Sequence, residues 1–161
     1  MNASLVLVAL ALAGAPRAPA KPAAPPSATG PRPLVMLMDG GTTLSPEFRA
    51  GLLSSVQREV ERSAGYAWME PPAISLDELA LALNCTGVDD ACLRNAGVSL
   101  KAEAVLLVAV SKGPRREVVI SLVTVNAKQP GKMAAVPLQE NAATLNDFQQ
   151  AVRSLLGASK P

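Results

Sequence analysis

The chain has 161 residues, of which 49% are hydrophobic, 2% are aromatic and 17% are charged. Its 15 Lys and Arg against 13 Asp and Glu leave a formal charge of +2, too balanced for the clustered basic face of a nucleic-acid binder. The absence of histidine excludes Ser-His-Asp and Cys-His catalysis and every histidine-ligated metal site. The length predicts one compact domain, and the composition disfavours an enzyme.

The first twenty residues have the pattern of an export signal. Residues 5–15 form an uninterrupted apolar run, which is shorter than the roughly 20 residues that a membrane-spanning helix needs. The small-x-small triplet that ends at Ala20 predicts cleavage before Lys21, with cleavage after Ala15 or retention as a tether as alternatives. No cysteine stands near these sites, so a lipid anchor is not expected. The mature chain, without a stable transmembrane span, is therefore expected in the periplasm or outside the cell.

The composition changes twice after the export signal. Residues 21–33 are rich in Pro, Ala, Ser and Gly and predict a disordered linker, with a Pro-rich ligand segment as the alternative. A single folded domain is expected over residues 34–157. Residues 158–161 are expected to form a short tail.

Periodicity and capping patterns predict nine elements in the domain. The strands are expected at 34–38, 66–69, 104–110, 117–125 and 133–136. The helices are expected from Pro46 (capped by Ser45) to near Gly65, from a Ser75–Glu78 capping box onward, from Asp89 or Asp90 to Gly97, and from a Thr144–Asp147 capping box to Leu156. This order, β-α-β-α-α-β-β-β-α, predicts an α/β sandwich with a mixed sheet in two or three layers.

The two cysteines are the sharpest chemical feature of the sequence. Cys85 and Cys92 lie in the loop between the second and third helices, and an even cysteine count in an exported protein favours a disulfide. The bridge would close a loop of about eight residues and stabilise the fold by roughly 2–3 kcal/mol. A reactive thiol is disfavoured because the chain has no histidine and because Asp89 and Asp90 oppose a nearby thiolate.

Two other motifs have the residues of a ligand site but a structural explanation. The Asp89–Asp90 pair suits calcium, yet the loop lacks the further oxygen ligands that calcium needs, and a helix N-cap explains the pair. Residues 39–43 join a strand to a helix, where phosphate-binding loops occur, but they lack the P-loop lysine and predict a turn. No metal site and no cofactor are therefore predicted.

Four side chains are candidates for an interface. Tyr66 and Trp68 would be the natural anchors for a partner, although a strand in the core is the favoured place for both. Arg115 and Arg116 belong to the densest basic cluster, at a predicted hairpin tip, and are expected in a solvated loop or at an interface. Without interleaved aromatic residues they make a poor platform for single-stranded nucleic acid.

Residues 84–125 resemble a segment of secreted or lipid-anchored proteins of myxobacteria and their relatives. The matching positions are Cys85, Asp89, Asp90, Cys92, Leu93, Ala104, Leu106, Leu107 and Val108. Those proteins in turn resemble the amino-terminal domain of TolB and the related CsgG-type envelope domains. The chain departs from this pattern at Glu103, Ala109 and Val110. Over about 34–156, the resemblance implies a non-catalytic envelope module that works within a larger assembly.

Three classes of function follow from these observations. A non-enzymatic module that binds other envelope proteins agrees best with the composition and with the resemblance. A periplasmic module that binds a small molecule or peptidoglycan is the alternative, although the lack of aromatic residues disfavours sugar stacking. A hydrolase that uses carboxylates alone would need two of them across a cleft, from Asp39, Glu70 and Glu103 near strand ends. The sequence predicts neither the partner nor the oligomeric state.

Overall fold

The computed structural model describes residues 30–39, 44–111 and 113–157. Over these ranges, five strands form one mixed sheet and four helices cover both of its faces. The strands are β1 (Arg32–Met38), β2 (Tyr66–Met69), β3 (Ala104–Val110), β4 (Glu117–Thr124) and β5 (Lys132–Pro137). The helices are α1 (Pro46–Arg62), α2 (Leu76–Ala82), α3 (Asp90–Leu100) and α4 (Ala142–Leu156). The predicted α/β sandwich and the predicted order of its elements are confirmed.

The described part of the chain begins just before the first strand. The predicted export signal, the predicted tail and most of the predicted linker lie outside the described residues. β1 begins at Arg32, earlier than predicted, because the Arg32 N–H donates to the Gly65 C=O at 3.1 Å and so brings this end of the strand beside β2. Within the described ranges, no helix is long and apolar enough to cross a membrane.

The connections of the sheet place helices on both sides of it. The strand order is β2-β1-β3-β4-β5, in which β1 is parallel to both neighbours and β4 is antiparallel to both of its own. The connection from β1 to β2 carries α1 on one face, and the connection from β2 to β3 carries α2 and α3 on the other. Since α4 packs on the same face as α1, the fold has three layers rather than two.

The larger hydrophobic core lies between the sheet and helices α1 and α4. Its largest fully buried side chains include Leu34 and Met36 of β1, Leu106 of β3 and Ile120 of β4. The helices contribute Phe48, Leu52, Val56, Val60, Phe148 and Val152 to this core. Phe48, Leu52, Val56 and Val60 recur every four residues, a spacing that predicts one face of a helix, and all four lie in this core.

Gly97 lies inside α3, although the sequence predicted that the helix ends there. The helix continues to Leu100, and Lys101 takes the left-handed conformation that ends it, with φ 58°. A Cβ built on Gly97 would lie 3.0 Å from Val105 Cγ2 and closer still to Val125 Cγ2. The prediction was wrong because this glycine serves the close approach of α3 to the sheet and does not stop the helix.

The start of α4 is a second correction. The sequence predicted a capping box from Thr144 to Asp147, but the helix begins at Ala142 and its N-cap is Asn141, whose side chain accepts the Thr144 N–H at 3.0 Å. Thr144 is buried, and its hydroxyl donates to the Pro137 C=O, which ties the helix to the end of β5. The predicted caps at Ser45 and Asp89 and the predicted Ser75–Glu78 capping box are all present.

Candidate functional site

An apolar groove opens where β1 and β2 end. Its volume is about 520 Å³, within the range of ligand-binding pockets. It is lined by the end of β1, by the start of α1 and by the segment that joins β2 to α2. We call it the β1 groove, and its defining residues are Met36, Met38, Leu44, Leu53, Pro72 and Ile74. Such a lining favours an apolar ligand.

The β1 groove exists because β2 is shorter than β1. β2 pairs with β1 only from Arg32 to Val35, whereas β1 pairs with β3 as far as Met38. Pro71 and Pro72 follow the end of β2, and proline has no N–H with which to continue the ladder. The edge of β1 therefore continues past its neighbour, and the β1 groove occupies the space beside it.

Past the end of β2, the edge of β1 has backbone groups that point away from β3. The Asp39 N–H donates to the Val108 C=O of β3 at 3.0 Å. Because the backbone groups of successive residues in a parallel strand point to opposite sides, those of Met36 and Met38 point away from β3. If the β1–β2 register continued, residue 71 would supply the donor for the Met36 C=O, and that residue is a proline. The Met36 C=O and both backbone groups of Met38 lie beyond the paired part of β2.

The wall formed by α1 is held in place at the N-cap of the helix. Ser45 caps the helix, and its own N–H donates to a carboxylate oxygen of Glu140 at 3.0 Å. This hydrogen bond, which favours the charged form, lowers the pKa of Glu140. Glu140 precedes α4 in sequence and has a positive φ of 49°. The start of α1 is therefore tied to the segment between β5 and α4.

Ile74 forms part of the opposite wall and is 47% exposed. It lies between the two prolines that follow β2 and the Ser75 cap of α2. A half-exposed isoleucine at a groove is available to a partner without unfolding of the core. The sequence analysis missed this groove, and its one local signal was the pair of prolines directly after a short strand.

The carboxylates that a hydrolase would need are spread over two ends of the sheet. Asp39 follows β1 and Glu70 follows β2, so both lie at the carboxyl ends of these parallel strands. Glu103 lies at the other end, where its N–H donates to the Pro33 C=O at 2.8 Å. The length of β1 separates Asp39 from Glu103 by roughly 20 Å at about 3.3 Å per residue, whereas glycosidase carboxylates stand about 5–9.5 Å apart. Glu103 therefore cannot form such a pair with Asp39.

The structure does not bring the four candidate interface residues together. Tyr66 is buried in the larger core at the start of β2, and the guanidinium of Arg32 lies 4.5 Å from its ring centre. Trp68 is half-buried against the same core. Arg115 and Arg116 are exposed between β3 and β4, at the opposite end of the sheet from Tyr66. Tyr66 thus takes the favoured place in the core, and an interface role for the other three stays a prediction.

The structure contains the Cys85–Cys92 disulfide, with its two Cα atoms 5.7 Å apart. The bridge joins the end of α2 to the first turn of α3. Asp89 caps α3 by accepting the Cys92 N–H at 2.8 Å, and Asp90 accepts the Gly131 N–H at 2.7 Å. Both carboxylates thus have structural partners. In the described ranges, no three His, Cys, Asp or Glu side chains are grouped so that they could hold a metal ion.

A buried carboxylate, which the sequence analysis also missed, joins α1 to α4. Glu59 is 2% exposed and accepts two hydrogen bonds from Arg153, at 2.8 and 3.0 Å, and others from Gln149 and Arg62. The hydrogen bond from Arg153 is the main reason why the pKa of Glu59 is lowered to about 2. All its partners belong to the fold, so this cluster is structural. Of its partners, only Arg62 is close enough in sequence, one helical turn from Glu59, for the contact to be predicted from the sequence.

No protein-family model and no curated protein sequence matches the chain. Several solved structures are similar to it. The PelC dodecamer from Paraburkholderia phytofirmans is 14% identical with a TM-score of 0.44, over 79% of this chain and 85% of that one. The hypothetical protein CT253 from Chlamydia trachomatis is 10% identical with a TM-score of 0.47, over 80% and 95%. TolB from Acinetobacter baumannii is 13% identical with a TM-score of 0.44, over 82% and 29%.

TolB is therefore among the similar structures, as the resemblance over residues 84–125 led us to expect. At these identities, and with TM-scores below 0.5, no residue role and no function passes from any of the three proteins to this chain. The finer resemblance to CsgG-type and myxobacterial proteins stays a prediction. The class that the fold itself defines is a three-layer α/β domain with a mixed five-stranded sheet.

Proposed function

We propose that this chain is an exported, non-enzymatic module that binds an apolar segment of another cell-envelope protein in the β1 groove. The observation that carries the proposal is the groove itself, an apolar cleft of about 520 Å³ between two helical layers. Buried apolar surface is the main favourable contribution to most protein association. A lining that includes Met36, Leu53 and Ile74 offers that contribution to a partner.

The placement of charged groups supports a non-enzymatic role. Catalytic acids and bases commonly sit in a cleft with a perturbed pKa. Here the carboxylate with the largest described pKa shift, Glu59, is held by arginines between α1 and α4 and does not line the β1 groove. Together with the absence of histidine and the distance from Asp39 to Glu103, this favours binding over catalysis.

Two independent features support a place outside the cytoplasm. The apolar run at residues 5–15 has the length of a secretory signal, and the Cys85–Cys92 disulfide is of the kind that persists in oxidising compartments. The mature chain then begins at Lys21, with a linker to residue 33 and a domain to residue 157. Amino-terminal sequencing of the exported protein checks this, because Lys21 is the expected first residue and an intact Met1 would contradict cleavage.

A small apolar molecule is the second candidate ligand, since the volume of the β1 groove lies in the range of small-molecule pockets. Glycan binding is disfavoured, because none of the described side chains that line the groove is aromatic and so none offers a stacking surface. Crosslinking distinguishes the two candidate ligands: a protein partner gives an adduct with a second chain, whereas a small molecule does not.

Photocrosslinking in the cells that naturally make the protein tests the proposal. A photoreactive residue at position 74, at the groove, should give one discrete protein adduct that mass spectrometry identifies as an exported protein. The same residue at position 133 is the matched control, because Met133 is 69% exposed and lies on β5 at the far edge of the sheet. Equal adducts from both positions, or none from position 74, would refute binding through the groove.

A further inference from the structure

We infer that the bound segment is an extended peptide, which adds as a short strand beside residues 36–38 of β1. The inference rests on the proposed function and names the chemistry that the β1 groove recognises. It starts from the position of β1: β2 and β3 lie beside its first half, whereas among the described strands only β3 lies beside residues 36–38. An edge of this kind accepts an added strand through main-chain hydrogen bonds.

The backbone groups at this edge specify an extended main chain. The Met36 C=O and the Met38 N–H and C=O point toward the place that β2 vacates after Met69. Met38 is half-buried and lines the groove, so its N–H and C=O are the accessible groups, whereas Met36 is only 2% exposed and a peptide reaches its carbonyl only when the wall that contains Ile74 moves. A buried carbonyl is stabilised by a hydrogen-bond donor, and the chain's own next residue in register, Pro71, has none. An incoming peptide N–H would supply it.

The walls specify the side chains of that peptide. On one side, Leu44 and Leu53 belong to the larger core under α1. On the other side, Leu37 and Leu76 belong to the smaller core under α2 and α3. A strand covered on both faces is apolar at successive positions and does not alternate between apolar and polar residues. Three residues of free edge span roughly 10 Å, so the bound segment has about three or four residues of the Val, Leu and Ile type.

The other edge of the sheet differs in these respects. β5 begins with Lys132 and ends with Pro137, and both residue types oppose the addition of a further strand. Its Met133 and Ala135 side chains are exposed. β5 therefore serves as the internal control for strand addition. The competing ligand for the β1 groove is a small apolar molecule.

The test uses the exported chain and a defined probe. The probe is a six-residue peptide with alternating Val and Leu between two terminal Lys residues, acetylated and amidated at its ends. Its partner probe carries N-methyl groups on the four central amides, which removes the donors and leaves the side chains unchanged. We expect the N-methylated peptide to bind at least roughly tenfold more weakly, as the loss of main-chain hydrogen bonds requires.

Two further measurements locate the site. Saturation with the unmodified peptide should slow hydrogen exchange at the Met38 amide and leave the amides of β5 unchanged. Ile74→Glu should weaken binding of that peptide at least roughly tenfold, whereas Met133→Glu, at a more exposed apolar position outside the groove, should not. Unchanged circular dichroism of both variants shows that the fold is retained.

Each other outcome overturns the inference. Equal binding of both peptides would refute strand pairing while leaving an apolar groove, so the proposed function would survive. Sensitivity to Met133→Glu or protection along β5 would place the added strand at the wrong edge. No binding of either peptide would refute an extended apolar ligand, and the crosslinking at position 74 would then decide the proposed function separately.

Discussion

The two faces of the sheet are covered by different means. On one face, α1 and α4 have 17 and 15 residues, pack on the larger core and are joined through the Glu59 cluster. On the other face, α2 and α3 have 7 and 11 residues and are joined by the Cys85–Cys92 disulfide. Short helices bury few side chains and are marginal without support. The comparison indicates that a covalent link on the second face compensates for the smaller core.

The β1 groove lies between these two kinds of cover. Its α1 wall belongs to the larger core, and Glu140 accepts a hydrogen bond from the N–H of Ser45, the N-cap of α1. The wall that contains Ile74 leads into α2, the shortest helix of the four described. Regions with few buried apolar contacts open at a lower cost than the core does. We therefore expect the Ile74 wall to adjust when a ligand binds.

The largest effect that separates the two faces should come from cavities in their cores. Phe148→Ala on α4 should lower the free energy of unfolding by about 3–5 kcal/mol, because Phe148 is fully buried in the larger core. Leu93→Ala on α3 should cost about 2–3 kcal/mol, because fewer atoms are removed and the smaller core can collapse around the gap. Urea denaturation of both variants provides the comparison. A Leu93 variant as unstable as the Phe148 variant would show that the two cores contribute equally.

Loss of the disulfide should lower the stability of the domain and affect the second face most. Replacing Cys85 and Cys92 together with serine should lower stability by roughly 2–3 kcal/mol, because the unfolded chain regains the freedom that a closed short loop denies it. The melting temperature should fall by several degrees, and hydrogen exchange should speed up more in α2 and α3, where local opening is added, than in α1 and α4. Intact-mass analysis after non-reducing alkylation is the control. Two alkylated thiols on protein taken from its native compartment would contradict the bridge.

The smallest effect should appear on the first face and depend on pH. Because the pKa of Glu59 is lowered from 4.5 to about 2 in the fold, its contribution is complete above pH 4.5 and is lost as the pH falls toward 2. Arg153 and Arg62 are 44% and 61% exposed, so solvent screening reduces the contribution to about 1–2 kcal/mol.

Glu59→Gln keeps the side-chain shape and removes the titration. This variant should be less stable than the parent at pH 7 and should lose less stability than the parent between pH 4.5 and 2. Urea denaturation at a series of pH values measures both. Parallel pH curves for the two proteins would show that Glu59 contributes no acid-sensitive stability, and the remaining slope would then belong to other carboxylates such as Glu78 and Glu140, whose pKa values are also lowered.

The sequence by itself determined the local elements. Ser45 and the Ser75–Glu78 box predicted where α1 and α2 begin, and the continuous apolar run at residues 104–110 predicted the strand β3. These predictions succeeded because capping and periodicity depend on residues within about four positions of each other. The prediction of the Cys85–Cys92 bridge depended on two residues in one short loop, and the structure contains that bridge.

Tertiary structure decided the features that depend on distant residues. Glu59 accepts a hydrogen bond from Arg153, which lies 94 positions away in sequence. No residue near Glu59 in sequence predicts that contact. The glycine at position 97 predicted a helix end, but Gly97 lies inside α3, because Val105 and Val125 approach too closely for a larger residue. The β1 groove needs both the early end of β2 and the pairing of β1 with β3 beyond that point. A strand edge becomes a binding site only when its neighbours are in place, because the unpaired backbone groups are defined by which strands lie beside them.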